Sequence, residues 1–429
     1  MVGKIISIKV YFMIFLLLCT FIGSCAAETT QNPDSILPEE IKAGVFGDAN
    51  HDGVINEDDV TYILAIISGK NPTTRFADAN QDGKVDQEDV TVIRSIINGE
   101  AKQVYVADSE DRIVSIDLPV KSIVVLSTAS PAGMLRVLGE QDKVVGINKM
   151  ITGDPFYPEL QNKPSVGYPA PDYEAITKLK PDLVIASANP TYAYDIVEKM
   201  EPFGIKVLQL DLNGRPEQYL TELKVLGQVL GKSDKALEYA DFSKSNIEKA
   251  EKIVSTIKPE DKKSVYYEFI QDYNVPGRAN GIIEEAGGEH ILADVFKGDF
   301  LEHKSLNIDP EEIAEKNPDV IIKDPHVGMN WSGYAKGVIP RMENIREVVM
   351  DRPAWKETNA VKNGDVYVVT RELGNERMLA TVFLGKTLYP DAFKDINASA
   401  ILQEWLERFH GKKYDDYAVM VYTPEHILK

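Results

Sequence analysis

The spacing of hydrophobic and polar positions changes several times along the chain, and each change marks a boundary. Lys4 and Lys9 lead into an apolar run from Val10 to Leu18, which ends on the small residues Gly23, Ser24 and Cys25. That profile suits a signal peptide over 1–25 and is short for a membrane-spanning helix. Residues 26–43 are polar, carry two prolines and keep no period, so they read as a tether. The next segment, 44–100, alternates polar loops with apolar positions at helical spacing: 60, 63, 64 and 67, then 90, 93 and 97. It is an internal repeat: DANHDGVINEDDVTYILAIISG from Asp48 returns as DANQDGKVDQEDVTVIRSIING from Asp78, with twelve of twenty-two positions identical.

A short polar stretch at about 101–111 follows, and the remainder alternates brief β-branched runs with helical patterns. The runs SIVVL (122–126), DLVIA (182–186), KVLQL (206–210), SVYYEF (264–269), DVIIK (319–323) and DVYVV (365–369) are continuous and apolar. Such runs between amphipathic helices predict parallel sheets covered on both faces. Residues 217–257 are helical in pattern throughout. EAITKLKPDLVI (174–185) and EEIAEKNPDVII (311–322) match each other, one in each half. The expected architecture is therefore α/β: a lobe over 112–215, a helical connection over 216–257, and a second lobe with a C-terminal helix over 258–429. A small loop–helix module precedes them.

The formal charge of -20 argues against nucleic-acid binding and fits a soluble domain outside the cell. Both cysteines, Cys19 and Cys25, lie in the first thirty residues, so the rest of the chain has no disulfide or thiolate metal site. Ile22-Gly23-Ser24-Cys25 resembles a lipobox, which implies that Cys25 is lipidated and becomes the first mature residue. The expected location is extracytoplasmic, with the lipid as the only membrane attachment.

Within each early repeat, acids and amides stand at positions 1, 3, 5, 9 and 12 with glycine at 6. The first set is Asp48, Asn50, Asp52, Asn56 and Asp59; the second is Asp78, Asn80, Asp82, Asp86 and Asp89. A hard cation such as calcium needs six or seven oxygens, and this spacing turns alternate side chains inward, with Val54 and Lys84 offering position-7 carbonyls. Two tandem loop–helix units with aspartate at position 12 and no incoming helix resemble a dockerin. That resemblance implies two calcium sites and docking to a cohesin-bearing partner.

From about 112 onward the chain resembles the periplasmic binding proteins for iron chelates, haem and cobalamin. The carriers are SIVVLSTASPAGMLRVLG (122–139), VGYPAPDYEAITKLKPDLVIA (166–186), GIKVLQLD (204–211), EEAGGEHILAD (284–294), DPEEIAEKNPDVII (309–322), AWKETNAVKNGDVYVV (354–369) and LYPDAF (388–393). The resemblance implies two Rossmann-like lobes joined by a long helix and a ligand cleft between them. It also implies service to an ABC permease whose ATPase is a separate chain. Open α/β sheets bind ligands beyond the carboxyl ends of their strands. The loops there hold Ser127, Thr128, Ser130, Tyr168, Asn189, Tyr192 and Tyr194 in the first lobe, and Glu268, Tyr273, Arg278, Asp324, His326, Trp331, Arg371 and Arg377 in the second. Aromatic faces and guanidinium groups suit a bulky anionic chelate. Glu174 and Glu311, seven residues before each Pro-Asp turn, are by the same resemblance the contacts with permease arginines; as first-turn acids they also suit the helix dipole.

Direct zinc or manganese ligation is disfavoured, because the first lobe has no histidine and His290, His303 and His326 are scattered through the second. A surface enzyme carrying a dockerin is the competing class, and a scaffold or adhesion protein with a silent cleft is a third. No G-x-S-x-G elbow and no full G-x-x-x-x-G-K-[ST] loop occurs. The chain is read as a binding protein and not an enzyme.

Overall fold

The computed structural model describes residues 42–429 except 128, 189–194, 212–215, 278, 296–304, 326–330 and 423–429. The signal segment with Cys25, nearly all of the tether, and Thr128, Asn189, Tyr192, Tyr194, Arg278, His303 and His326 lie outside the described residues. Among the described residues no helix is long and apolar enough to cross a membrane.

The first module comprises β1 (Gly44–Val45), α1 (Glu57–Ile67) and α2 (Gln87–Ile97). Both helices start on capping boxes: Asp59 and Asp89 reach back to accept the N–H of the cap residues Asn56 and Asp86, each at 2.8 Å. A side-chain cap of this kind contributes about 1 kcal/mol. The apolar positions expected at helical spacing form a small core, Val60 and Ile63 against Val90 and Ile93 with Ala49, Ala77 and Ala79.

The stretch read as a polar connection instead contains β2 (Gln103–Ala107), which pairs antiparallel with β1 on one side and β3 (Ile113–Asp117) on the other. Only Val104, Val106 and Ala107 turn inward, so the segment is too short and too polar outside to stand out in the sequence. Its consequence is large. The module is stitched by a sheet to the chain that follows it.

The first lobe is β4 (Ile123–Val125), α3 (Ala129–Val137), β5 (Val144–Ile147), α4 (Tyr173–Leu179), β6 (Leu183–Ser187), α5 (Ile196–Met200) and β7 (Lys206–Leu210). Its strands form a parallel sheet in the order β5-β4-β6-β7. All residues of β4 and β6 are buried, which is why their sequences are unbroken apolar runs. The connection is two consecutive helices rather than one: α6 (Pro216–Val229) and the 22-residue α7 (Ser233–Val254). Gly231, at φ 66°, makes the left-handed turn that ends α6. At 1.5 Å per residue, α7 runs about 33 Å.

The second lobe contains β8 (Ser264–Phe269), β9 (Asn274–Pro276), α8 (Ala279–Glu285), β10 (Glu289–His290), β11 (Ser305–Asn307), α9 (Pro310–Lys316), β12 (Val320–Asp324), α10 (Val338–Met350), α11 (Asn359–Asn363), β13 (Val366–Val369), α12 (Arg371–Asn375), α13 (Arg377–Leu388), α14 (Ala398–Glu404) and β14 (Val421–Tyr422). Its main sheet runs β10-β8-β12-β13-β14, parallel except for the last strand.

The matched sequence segments fold alike. Helices α4 and α9 each end on a left-handed residue, Lys180 (φ 48°) and Asn317 (φ 47°), before Pro181 and Pro318. The aspartates that follow then tie down the start of a neighbouring strand. Asp182 Oδ2 accepts the N–H and Oγ–H of Ser122 at 2.9 and 3.0 Å. Asp319 Oδ2 accepts those of Ser264 at 3.1 and 2.9 Å. One plan is used twice.

Candidate functional site

Two places concentrate chemistry, and the first is the pair of acidic loops. Asp48 is 3% exposed; its Oδ2 accepts from Gly53 N at 3.0 Å, while Oδ1 has no hydrogen-bond partner among the described residues. Burial pushes its carboxyl up to about 7, and that of Asp59 to about 6. A buried carboxylate oxygen with nothing to hold is costly unless a proton or a cation meets it. In the second loop Asp78 accepts from Asp82 N and Gly83 N at 3.2 and 2.9 Å. Among the described residues no three acidic or imidazole groups meet as a ready-made metal cluster. Here Asn50 and Asp52 accept the N–H of Asp52 and Val54, at 3.0 and 2.9 Å. The donor set is still that of a hard cation: carboxylates, carboxamides, and a backbone carbonyl each from Val54 and Lys84. Asp48, Asn50, Asp52, Val54, Asn56 and Asp59 would hold one ion, and Asp78, Asn80, Asp82, Lys84, Asp86 and Asp89 a second.

The second place lies between the lobes. Ser130 and Gly133 of α3, with Phe156 and Tyr157 from the first lobe, face Arg371, Glu372 and Glu376, together with Trp405 and His410 beyond α14. Tyr219 of α6 closes one side, and the space left is about 30 Å³, room for a water or two. Strand β13 ends at Val369, just before Arg371, and β4 ends just before α3, so the strand-end rule accounts for Ser130 and Arg371.

Aromatic rings shape this cavity. Phe156 stacks on Trp405 with centroids 5.6 Å apart and planes at 11°, and His410 lies 4.2 Å from Trp405. Arg136 sits over both Phe156 and Tyr157, at 4.9 and 4.4 Å, and donates to the Phe156 carbonyl at 2.6 Å. Arg371 pairs across the lobe boundary with Asp154 and, at 3.4 Å, with Glu372. Glu372 also accepts from Gly333 N and Tyr417 Oη, both at 3.0 Å.

His410 is the unusual member. It is 6% exposed, and among the described residues neither ring nitrogen has a hydrogen-bond partner; nor does Ser130 Oγ. Burial, then the charges of Arg136 and Lys412, hold its imidazole well below the ordinary range, so it is neutral at physiological pH. Burial also pushes the Glu376 carboxyl up to about 7. The cavity thus offers a hydroxyl and a neutral imidazole, both unengaged, between aromatic faces.

Of the residues expected at a cleft, Ser130 and Arg371 line this cavity, with Arg371 already engaged by two acids. Ser127 is buried at the end of β4, and Tyr168 is exposed at 38%. The others stand apart, inside the second lobe. Tyr273 packs under Arg352 and against Trp355, and its N–H binds Glu268 at 2.8 Å. Glu268 is consumed by Lys323 and Arg352, at 2.6 and 2.7 Å. Asp324 accepts from Tyr267 Oη at 2.7 Å. Trp331 lines a different pocket of about 290 Å³ with Ile270, Lys323 and Arg352, and Arg377 pairs with Glu285 on α8. His290 is structural: buried, pushed down to about 4, its Nδ1 accepting from Leu292 N at 3.1 Å.

Phe156, Tyr157, Trp405 and His410 were not among the sequence candidates. They come from segments away from strand ends, and WLERFH (405–410) reads as an ordinary amphipathic helix end. Glu174 and Glu311 are both exposed in the first turns of α4 and α9, beside the capping residues Asp172 and Asp309.

Comparison with known proteins bears on the fold and the family. Residues 46–98 match the Dockerin type I domain, and residues 123–373 match the family described as periplasmic binding protein. A Bacillus subtilis relative, the uncharacterized ABC transporter substrate-binding lipoprotein YvrC, is 26% identical over 302 residues, 68% of this chain and 87% of its own. Among solved structures, the Haemophilus influenzae molybdate-binding protein MolA aligns with a TM-score of 0.60 at 18% identity, covering 72% of this chain and 98% of its own. The TroA-like protein FepB of Veillonella parvula aligns at 0.59 and 24% identity, over 74% and 99%. These structural likenesses concern the fold. With more than half of its length matched by that family, from β4 to α12, the chain belongs to the periplasmic binding proteins.

Proposed function

We propose that this chain is the extracytoplasmic solute-binding component of an ABC importer. It captures an iron(III) chelate of the siderophore kind, haem or cobalamin between its lobes and passes it to a permease driven by a separate ATPase. The observation that carries the reading is the family match over 123–373, which spans both lobes; the seam between them, where Ser130 from one lobe and His410 from the other remain unengaged among aromatic rings, is the candidate place of capture. At about 30 Å³ that space admits no chelate as it stands, so capture requires the lobes to part there, exposing aromatic faces and a few polar atoms to the ligand. Kinship with a substrate-binding lipoprotein supports transport and a lipid on Cys25.

Glu174 and Glu311, exposed on corresponding helices of the two lobes, would meet arginines of the permease. The dockerin-type module would take one calcium ion per loop and engage a cohesin-bearing partner; Leu64, Ile67 and Ile97 leave apolar surface on its helices. Calcium there would bring neighbouring carboxylates together and let the helices pack.

Uptake by whole cells tests the proposal. Deleting the gene should abolish import of one of these chelates, and Cys25→Ser should release the protein from membranes and reduce import. Unimpaired import of every chelate class in the deletion strain would refute it.

A further inference from the structure

The two acidic loops share one pattern of acids and amides but not their surroundings. The second is open: a Cβ built on Gly83 would meet nothing within 4 Å. The first is seated on α6 of the binding domain. A Cβ on Gly53 would lie 2.4 Å from Cδ of Lys224, whose ammonium donates to the Asp52 carbonyl at 3.1 Å. One turn further along α6, Gln228 Nε2 donates to Asp48 Oδ2 at 2.7 Å. That oxygen therefore carries two donors, Gly53 N and Gln228 Nε2, and the other oxygen of the same buried carboxylate carries none among the described residues.

This division of labour is what an outer hydrogen bond does for a metal ligand. It fixes the carboxylate's rotation and leaves one oxygen aimed at the ion. Asp78, in the second loop, has only loop amides on its oxygens. The sheet supports the arrangement from the other side, because β1, just before the first loop, pairs with β2, and Val45 shares a core with Val225 and Val229 of α6.

We propose that the first calcium loop is completed by the binding domain: Gln228 is a positioning residue for Asp48, so that an ion in this loop fastens the module to the first lobe. The second loop holds its ion on the module's own residues. The inference rests on the reading of the loops as calcium sites and adds an asymmetry between them. Its consequence is that calcium links the module to α6, the helix that also places Tyr219 at the interlobe cavity.

The test is calcium titration by calorimetry of the full-length chain without its signal segment. Asp82→Ala isolates the first site, and Asp52→Ala isolates the second. Adding Gln228→Leu should weaken calcium about tenfold in the Asp82→Ala background, the lower end of the usual loss when an outer partner of a metal ligand is removed. It should leave the Asp52→Ala background unchanged. Hydrogen exchange gives an independent reading: calcium should slow exchange in 216–229 in the Asp82→Ala protein, and this gain should vanish with Gln228→Leu. Equal affinity with and without Gln228 in the Asp82→Ala background overturns the inference while leaving the calcium loops intact. No calcium binding by the unsubstituted chain overturns both.

Discussion

Arg371 of the second lobe pairs with Asp154 of the first, and both side chains are almost wholly buried. The pair crosses the boundary that a captured ligand must also span, and it forms part of the setting for the cavity's polar groups. Removing one partner of such a pair leaves a buried charge alone, which costs about 3–5 kcal/mol. Arg371→Met should therefore lower the urea midpoint markedly. The double variant Arg371→Met with Asp154→Leu should recover part of the loss, since an apolar pair of similar volume is often neutral, while buried Glu372 still lacks its guanidinium. A double variant no more stable than Arg371→Met would show that the charge pairing is not the source of the effect.

A second expectation concerns pH. Glu222 of α6 accepts from Ser109 Oγ at 2.5 Å and Asp211 N at 2.6 Å, yet burial pushes its carboxyl up to about 8. Its ordinary value is about 4.3. A raised carboxyl contributes stability that is fully present below the ordinary value and drains away as pH rises through the folded value. The melting temperature should fall between pH 5 and pH 8, and Glu222→Gln should flatten that fall, with its advantage growing toward alkaline pH. Melting curves at fixed saturating calcium check this; parallel curves for the two proteins would contradict it.

Docking and capture should separate by mutation. Glu174→Ala with Glu311→Ala should leave ligand affinity unchanged while uptake drops. Loss of a charge pair at a partly desolvated interface costs on the order of 1–3 kcal/mol, so losing both weakens permease binding by tens-fold or more. Pull-down with the reconstituted transporter, beside a ligand titration, distinguishes this from a folding defect. Normal transport by the double variant would reduce both glutamates to helix-start acids.

How much of this was legible beforehand depends on how local each feature is. The dockerin-type repeat is readable because the acid and amide spacing, the glycine and the following helix are contained within about two dozen residues. Strands β4, β6, β8, β12 and β13 were readable because burial on both faces removes polar residues from the run. Strand β2 is not, since its partner β1 lies at the far end of the module and its own pattern is short. The break between α6 and α7 depends on one glycine in a stretch whose helical spacing continues on both sides. Of the residues lining the cavity, the strand-end rule reaches Ser130 and Arg371 but not His410 or Trp405. Those reach the cavity through tertiary packing of the C-terminal segment against Phe156, which no local pattern encodes. Tyr273 and Arg377, which the same rule names, have partners inside the second lobe that are equally invisible in one dimension.

The most direct test is native mass spectrometry of the chain purified from its own host, compared with the His410→Ala and Trp405→Ala variants. A solute-binding protein for a metal chelate should carry, in part of the population, an added mass with a transition-metal isotope pattern matching a siderophore complex, haem or cobalamin. Both cavity variants should lose that mass while remaining folded by circular dichroism. A bare wild-type mass that stays bare after incubation with ferric chelates, haem and cobalamin would contradict the proposed function.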